Sequence, residues 1–207
     1  MSTSALSIDE RAELVRRGKR LQYFTIVWNI LEALVAVFSG LIAGSISLIG
    51  FGFDSLIEVT SGAAVLWRMY LDHPERREGA ERVSLRIVGG CFILLAAYIA
   101  VDAIKSLYEH EQSARSIPGI VLAIVSLIVM PLLSRSKRRL GKELKSHAMQ
   151  ADATQTEFCT YLSAILLFGL ATNWLLGWWW ADSAAALVMV PLIAREGVEG
   201  LRARACC

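Results

Sequence analysis

The chain has 207 residues, of which 55% are hydrophobic and 19% charged, with a formal net charge of +2 and a mean hydropathy of +0.50. Apolar sequence in such long runs excludes an ordinary water-soluble domain, and several runs exceed the roughly 20 residues that carry a helix across a bilayer. The basic residues cluster at the flanks of those runs, as they do beside membrane helices, which speaks against a nucleic-acid-binding module.

In chain order, residues 1–20 form a basic cytoplasmic segment containing Arg11, Arg16, Arg17, Lys19 and Arg20. It lacks the short apolar core and small-residue cleavage site of a signal peptide, so the first helix is expected to stay in the membrane. Six spans follow, at about 21–43, 46–70, 84–108, 117–134, 148–173 and 181–200, and residues 203–207 form a short tail. A turn around Gly44-Ser45 joins the first two spans. Arg76, Arg77 and Arg82 join spans 2 and 3, and Arg135, Lys137, Arg138, Arg139, Lys142 and Lys145 join spans 4 and 5. Arg202 and Arg204 follow span 6, whereas the opposite loops carry Arg115 alone or no basic residue. The positive-inside rule places both termini in the cytoplasm, and the run NWLLGWWWAD (173–182) fits an aromatic anchor at the outer interface. The predicted fold is an all-α polytopic membrane protein, with a six-helix transmembrane domain over 21–202 and no internal repeat or extra domain.

Polar residues inside the spans are the chemical signal. A charge in mid-membrane costs somewhere between roughly 3 and 15 kcal/mol, so it needs a partner or a function. Residues three or four apart share a helix face. Span 2 carries Asp54, Glu58 and Ser61 in such a stripe; span 5 carries Asp152, Gln155 and Cys159, with Glu157 pointing elsewhere. Asn29 and Glu32 form a smaller pair in span 1, Glu32 being either part of a permeation path or a packing group tied to Asn29. Spans 2 and 5 run in opposite directions, and at about 1.5 Å per residue Asp54 and Cys159 reach the same mid-bilayer depth, with Glu58 and Gln155 one turn nearer the cytoplasm. Helices in contact would present Asp54, Glu58, Gln155 and Cys159 to one point. Carboxylate and thiolate are good ligands for a divalent transition metal such as zinc, and a carrier holds its cargo at such a midplane site. The alternatives are acids bonded within the bundle, a packing cysteine and, for Asp152, a helix-start residue.

The remaining candidates read as structural. Asp102 and Lys105, near the outer end of span 3, form a local salt bridge or vestibule charge, and Asp182 caps the start of span 6. Cys91 packs as a small apolar residue, while Cys206 and Cys207 are frayed or lipidated. The four cysteines show no disulfide spacing. His73, His110 and His147 lie in loops or at a helix edge, so Cys159 has no base in reach and an intramembrane enzyme is not expected.

Six helices with cytoplasmic termini, the acid pair in GSISLIGFGFDSLIEV, and QADATQTEFCTYLSAILL leading into ADSAAALVMVPLIAREG resemble the cation diffusion facilitator (cation efflux) family of metal/proton antiporters. The resemblance covers most of residues 20–202. It is greatest for a short branch lacking the usual cytoplasmic C-terminal domain, similar to the synaptic-vesicle zinc transporter, which shares the AVLWR-like end of span 2. It implies a homodimer in the cell membrane of a prokaryote that exports zinc, or cobalt or cadmium, in exchange for protons. The family's site joins an acid pair on helix 2 to His-x-x-x-Asp on helix 5. Here those positions fall on Asp54 and Glu58, and on Gln155 and Cys159. A thiolate in place of a carboxylate favours zinc, cobalt or cadmium over manganese or magnesium, and Asp152, one turn below Gln155, is placed to supply a further strong ligand. Under this reading Asp54 and Glu58 bind the ion deprotonated and take up protons when it leaves, while Gly50, Gly52 and Gly62 help the helices rock. The competing reading, resting on Gln155 and the missing C-terminal domain, is a non-transporting, metal-responsive membrane regulator or scaffold.

Overall fold

Polar stripes on otherwise apolar helices set the architecture. In the computed structural model, which describes residues 8–70, 74–110, 113–144 and 146–202, six helices pack as one bundle: α1 (Ile8–Ala43), α2 (Ile46–Tyr70), α3 (Pro74–Glu109), α4 (Ile117–Glu143), α5 (His147–Leu176) and α6 (Ala181–Leu201). Among the described residues, five helices are long and apolar enough to cross a membrane, α6 being outside that set. Asp182 at its start and Arg195, Glu196 and Glu199 toward its end confine the uncharged stretch of α6 to 183–194. The chain is an integral membrane protein of the all-α class. His73, Lys145, Arg204, Cys206 and Cys207 lie outside the described residues.

On α1 the polarity is the reverse of a soluble helix. Gln22, Thr25, Asn29 and Glu32, spaced three or four apart, are all buried, while Phe38 is 70% exposed and Leu34 64%. On α3, Leu94 is 73% exposed. Hydrocarbon solvates such faces, so burying the polar stripe and exposing the apolar one is the favourable arrangement in a bilayer. Cys91 lies on the exposed side of α3 rather than packed inside, which lipid contact permits.

Local signals end the helices where sequence chemistry requires. Gly44 and Gly177 take left-handed φ values of 62° and 66°, closing the α1–α2 turn and the α5 C-terminus; such angles are cheap only for glycine. Ser116 and Ser146 cap α4 and α5, accepting from the backbone N–H groups of Gly119 and Met149.

Cross-helix contacts give the directions. Asp54 meets Cys159 and Ser61 meets Asp152, so α2 and α5 are antiparallel. Gln22 reaches Asp152, Glu32 reaches Ser55, and Ser126 meets Ser163. Helices α2, α4 and α6 therefore run one way and α1, α3 and α5 the other. The described ends of the chain lie at the same end of the bundle, along with Arg138 and Arg139. Helices α1, α2, α4 and α5 surround a polar interior, and α3 and α6 form a pair packed against α2 and α5.

The α3–α6 pair is held by a glycine crossing. A Cβ on Gly89 would stand 2.5 Å from the Leu201 backbone nitrogen and 2.7 Å from the Gly197 carbonyl oxygen. Both obstacles are backbone, which does not yield as a flexible side chain would. Gly89→Ala is expected to cost about 1–3 kcal/mol through overpacking, read as a lower thermal midpoint in detergent; an unchanged midpoint would mean that the two helices do not cross there.

Two further expectations change. The fourth helix does not stop at residue 134: it continues to Glu143, because Met130, Leu133, Ser134, Lys137 and Gly141 keep the buried periodicity that begins at Gly119. Asp182 does not cap its own helix, whose first residue follows Trp180 without a side-chain cap. Its Oδ1 accepts from Ser45 Oγ at 2.6 Å and from Ser47 Oγ, and its Oδ2 accepts from the Ile46 N–H at 2.8 Å. Asp182 thus caps α2 from across the bundle, where a carboxylate meets unsatisfied N–H groups at the positive end of the helix dipole.

Candidate metal transport site

Helix α2 turns Asp54, Ser55 and Glu58 inward because Gly50 and Gly52 let its neighbours approach: a Cβ at Gly50 would meet Ile99 at 2.6 Å, and one at Gly52 would meet Val37 at 2.7 Å. Opposite, α5 presents Asp152, Thr156, Cys159 and Ser163, all buried and spaced to share one face. Asp54 Oδ2 accepts the thiol hydrogen bond of Cys159 at 2.7 Å. Ser163 donates to the Cys159 carbonyl at 2.7 Å.

One turn along, Thr156 rather than Gln155 faces Glu58, and its hydroxyl donates to Glu58 Oε1. Gln155 is half-buried and its Nε2 has no hydrogen-bond partner among the described residues. Glu58 Oε2, on a fully buried side chain, is also without a partner.

Lys137, which the sequence reading placed in a basic loop, is fully buried inside the bundle on α4. Its ammonium lies 2.9 Å from Asp152 Oδ2 and 3.5 Å from Glu58 Oε1, and donates to Thr156 Oγ1 at 2.8 Å. Its three protons have three oxygen acceptors, which is what an ammonium needs away from water. Asp152 is in turn held by Gln22 Nε2 at 2.6 Å and Ser61 Oγ at 3.4 Å. Asp152 is therefore a buried ion-pair partner, not a free helix-start group. Continuing the periodicity of α4 past residue 134 would have found Lys137, since it stands three residues after Ser134 on the same buried face. Thr156 and Gln22 had only their helical spacing as a signal.

The other polar groups fall outside this cluster. Glu32 Oε2 accepts from Ser55 at 2.9 Å, so Glu32 is tied to α2 and not to Asn29, whose amide atoms have no partner among the described residues. Glu157 pairs with Arg138. Lys105 lies 3.6 Å from Glu109, an exposed local pair that does not use Asp102.

Among the described residues, no group of three or more His, Cys, Asp and Glu side chains is gathered closely enough to hold a metal ion. Two candidate pairs face each other across α2 and α5 instead: Asp54 with Cys159, and Glu58 with the Thr156–Lys137–Asp152 chain. The donor types suit a divalent transition metal, and among the described residues Glu58 Oε2, Gln22 Oε1 and Glu32 Oε1 are buried oxygens without a hydrogen-bond partner.

Comparison with known proteins gives the relationship. The chain is 26% identical over 192 residues to an uncharacterized transporter of Methanocaldococcus jannaschii, covering 89% of this chain and 68% of that protein. It is 25% identical over 201 residues to the manganese efflux system protein MneP of Bacillus subtilis (89% and 66%), and 28% identical over 156 residues to transmembrane protein 163 of Xenopus laevis (73% and 54%). The chain thus spans between about half and two thirds of the length of these relatives. The profile of the cation efflux transmembrane domain matches residues 23–204, nearly the whole bundle, and the chain belongs to the cation efflux family.

Proposed function

We propose that the chain is a carrier exporting a divalent transition metal, zinc first, from the cytoplasm in exchange for protons. The observation that supports this most is the facing of Asp54–Cys159 and Glu58 across α2 and α5, all buried, with one Glu58 oxygen unpaired. Metal and protons compete for the same two carboxylates, so one enters as the other leaves and the two gradients are coupled. The basic end of the bundle is the cytoplasmic end under the positive-inside rule. The working unit is a homodimer in the cell membrane, of a branch similar to the synaptic-vesicle zinc transporter. Asp54, Glu58 and Cys159 are the ligands, with Gln155 joining after a small rotation of α5 and Glu32 on the permeation path.

The test is flux. Purified protein in sealed vesicles with an acidic interior should take up zinc, and its absence at every pH gradient would remove transport. A second reading, the non-transporting regulator, draws on the lack of a three-ligand cluster among the described residues and on Lys137 lying beside Glu58. It predicts metal binding without flux.

Cys159 decides the metal. A relative named for manganese efflux points one way, and a thiol ligand points to softer ions. Cys159→Ser keeps a donor for Asp54 and removes the sulfur. It is expected to weaken zinc and cadmium by about tenfold or more while leaving manganese nearly unchanged, measured as competition in the same vesicles. An equal effect on all three metals would assign Cys159 to packing.

A further inference from the structure

The buried lysine is the feature that transport alone does not explain. Lys137 is fully buried, and all three of its oxygen partners are buried with it. Its contacts are unequal: 2.9 Å to Asp152 against 3.5 Å to Glu58. Asp152 is a fixed berth, held by Gln22 from α1 and Ser61 from α2. Among the described residues Glu58 is held only by Thr156 and by the long lysine contact, and its second oxygen is unpaired. The ammonium is therefore placed to leave Glu58 while keeping Asp152 and Thr156.

Charge points the same way. Asp54, Glu58 and Asp152 with Lys137 in place leave a net charge of two negatives, which a divalent ion neutralises. Without the lysine, three buried carboxylates would draw a cation harder, because positive charges a few ångströms apart in a poorly screened interior repel strongly.

We infer that Lys137 is a tethered cation that competes with the cargo: it covers Glu58 while the site is unloaded, withdraws onto Asp152 when a divalent ion binds, and holds affinity low enough for release. The inference rests on the transport reading above. It makes Asp152 a berth for the lysine and not a ligand. A carrier must let go of its ion as well as bind it, and a competitor built into the protein speeds release without a second ligand.

Zinc titration of the full chain in detergent separates the possibilities. Lys137→Met is expected to bind zinc about tenfold or more tightly than wild type. Asp152→Asn is expected to bind it more weakly by a similar factor, because the ammonium then settles on Glu58. The double variant removes both charges together, strands neither, and should bind at least as tightly as wild type; it decides the matter if Lys137→Met does not fold. In vesicles, Lys137→Met should show a lower KM and a lower maximal rate, a split that a purely structural lysine would not produce. Lys137→Met binding no tighter than wild type or, where that variant does not fold, a double variant binding more weakly than wild type would overturn the role of Lys137 and leave transport standing. A double variant as weak as Asp152→Asn would also overturn it, by making Asp152 a direct ligand. Zinc binding by none of the four proteins would overturn the transport reading itself, and the tethered cation with it.

Discussion

Vesicles carrying Asp54→Asn or Glu58→Gln are expected to lose zinc uptake by about a hundredfold or more, because an amide oxygen is a far poorer ligand than a carboxylate and exchanges no proton. Both substitutions are close to isosteric. The amide oxygen introduced at position 54 would still accept from the Cys159 thiol, and the one introduced at position 58 would still accept from Thr156, the contacts those positions make now. Loss of uptake therefore reports lost charge and not a collapsed bundle, which unchanged elution and thermal midpoint would verify. Glu58→Gln carries the more informative detail. It removes one of the two carboxylates facing Lys137, yet leaves the closer one on Asp152, so the protein should stay folded. Wild-type uptake in both variants would take the acid pair out of the mechanism.

Metal-free Lys137→Met is expected to be less stable than wild type by about 3–5 kcal/mol, the usual cost of removing one partner from a buried ion pair. Asp152 would keep Gln22 and Ser61 but lose its counter-charge, and Glu58 would face it across the vacated ammonium position. Adding Asp152→Asn should restore part of that loss, since of the two carboxylates facing Lys137 only Glu58, the more distant one, then lacks its counter-charge. Chemical or thermal unfolding in detergent, done as a double-mutant cycle, measures this. Simple additivity of the two single effects would mean that Lys137 and Asp152 do not interact as the 2.9 Å separation indicates.

Apolar length and the position of basic residues were enough to read the helices and which bundle ends share a side, because both are set by the bilayer and not by contacts between helices. The pairing of Asp54 with Cys159 was also within reach, since antiparallel helices with a known turn put those residues at one depth. The bounds of α4 were legible only in part: the charge cluster from Arg135 onward resembles a loop, and the buried periodicity beneath it is easily overlooked.

The sequence by itself determined the class of the protein, the helix carrying the acid pair and the depth at which α5 meets it. It did not determine the rotation of α5. Residues 155 and 156 lie about 100° apart around a helix, and each can serve a polar interior, so spacing does not choose between Gln155 and Thr156 as the neighbour of Glu58. Packing against α4 chose Thr156, because the same face must also carry Asp152 to Lys137. Asp182 shows the same limit. Its place at the start of α6 suggested a local cap, but the uncapped N–H groups of α2 lie beside it in space. Which distant groups a buried charge will meet is decided by how helices rotate and approach one another. That depends on glycines and side-chain volumes from several helices at once, and no single stretch of sequence contains it.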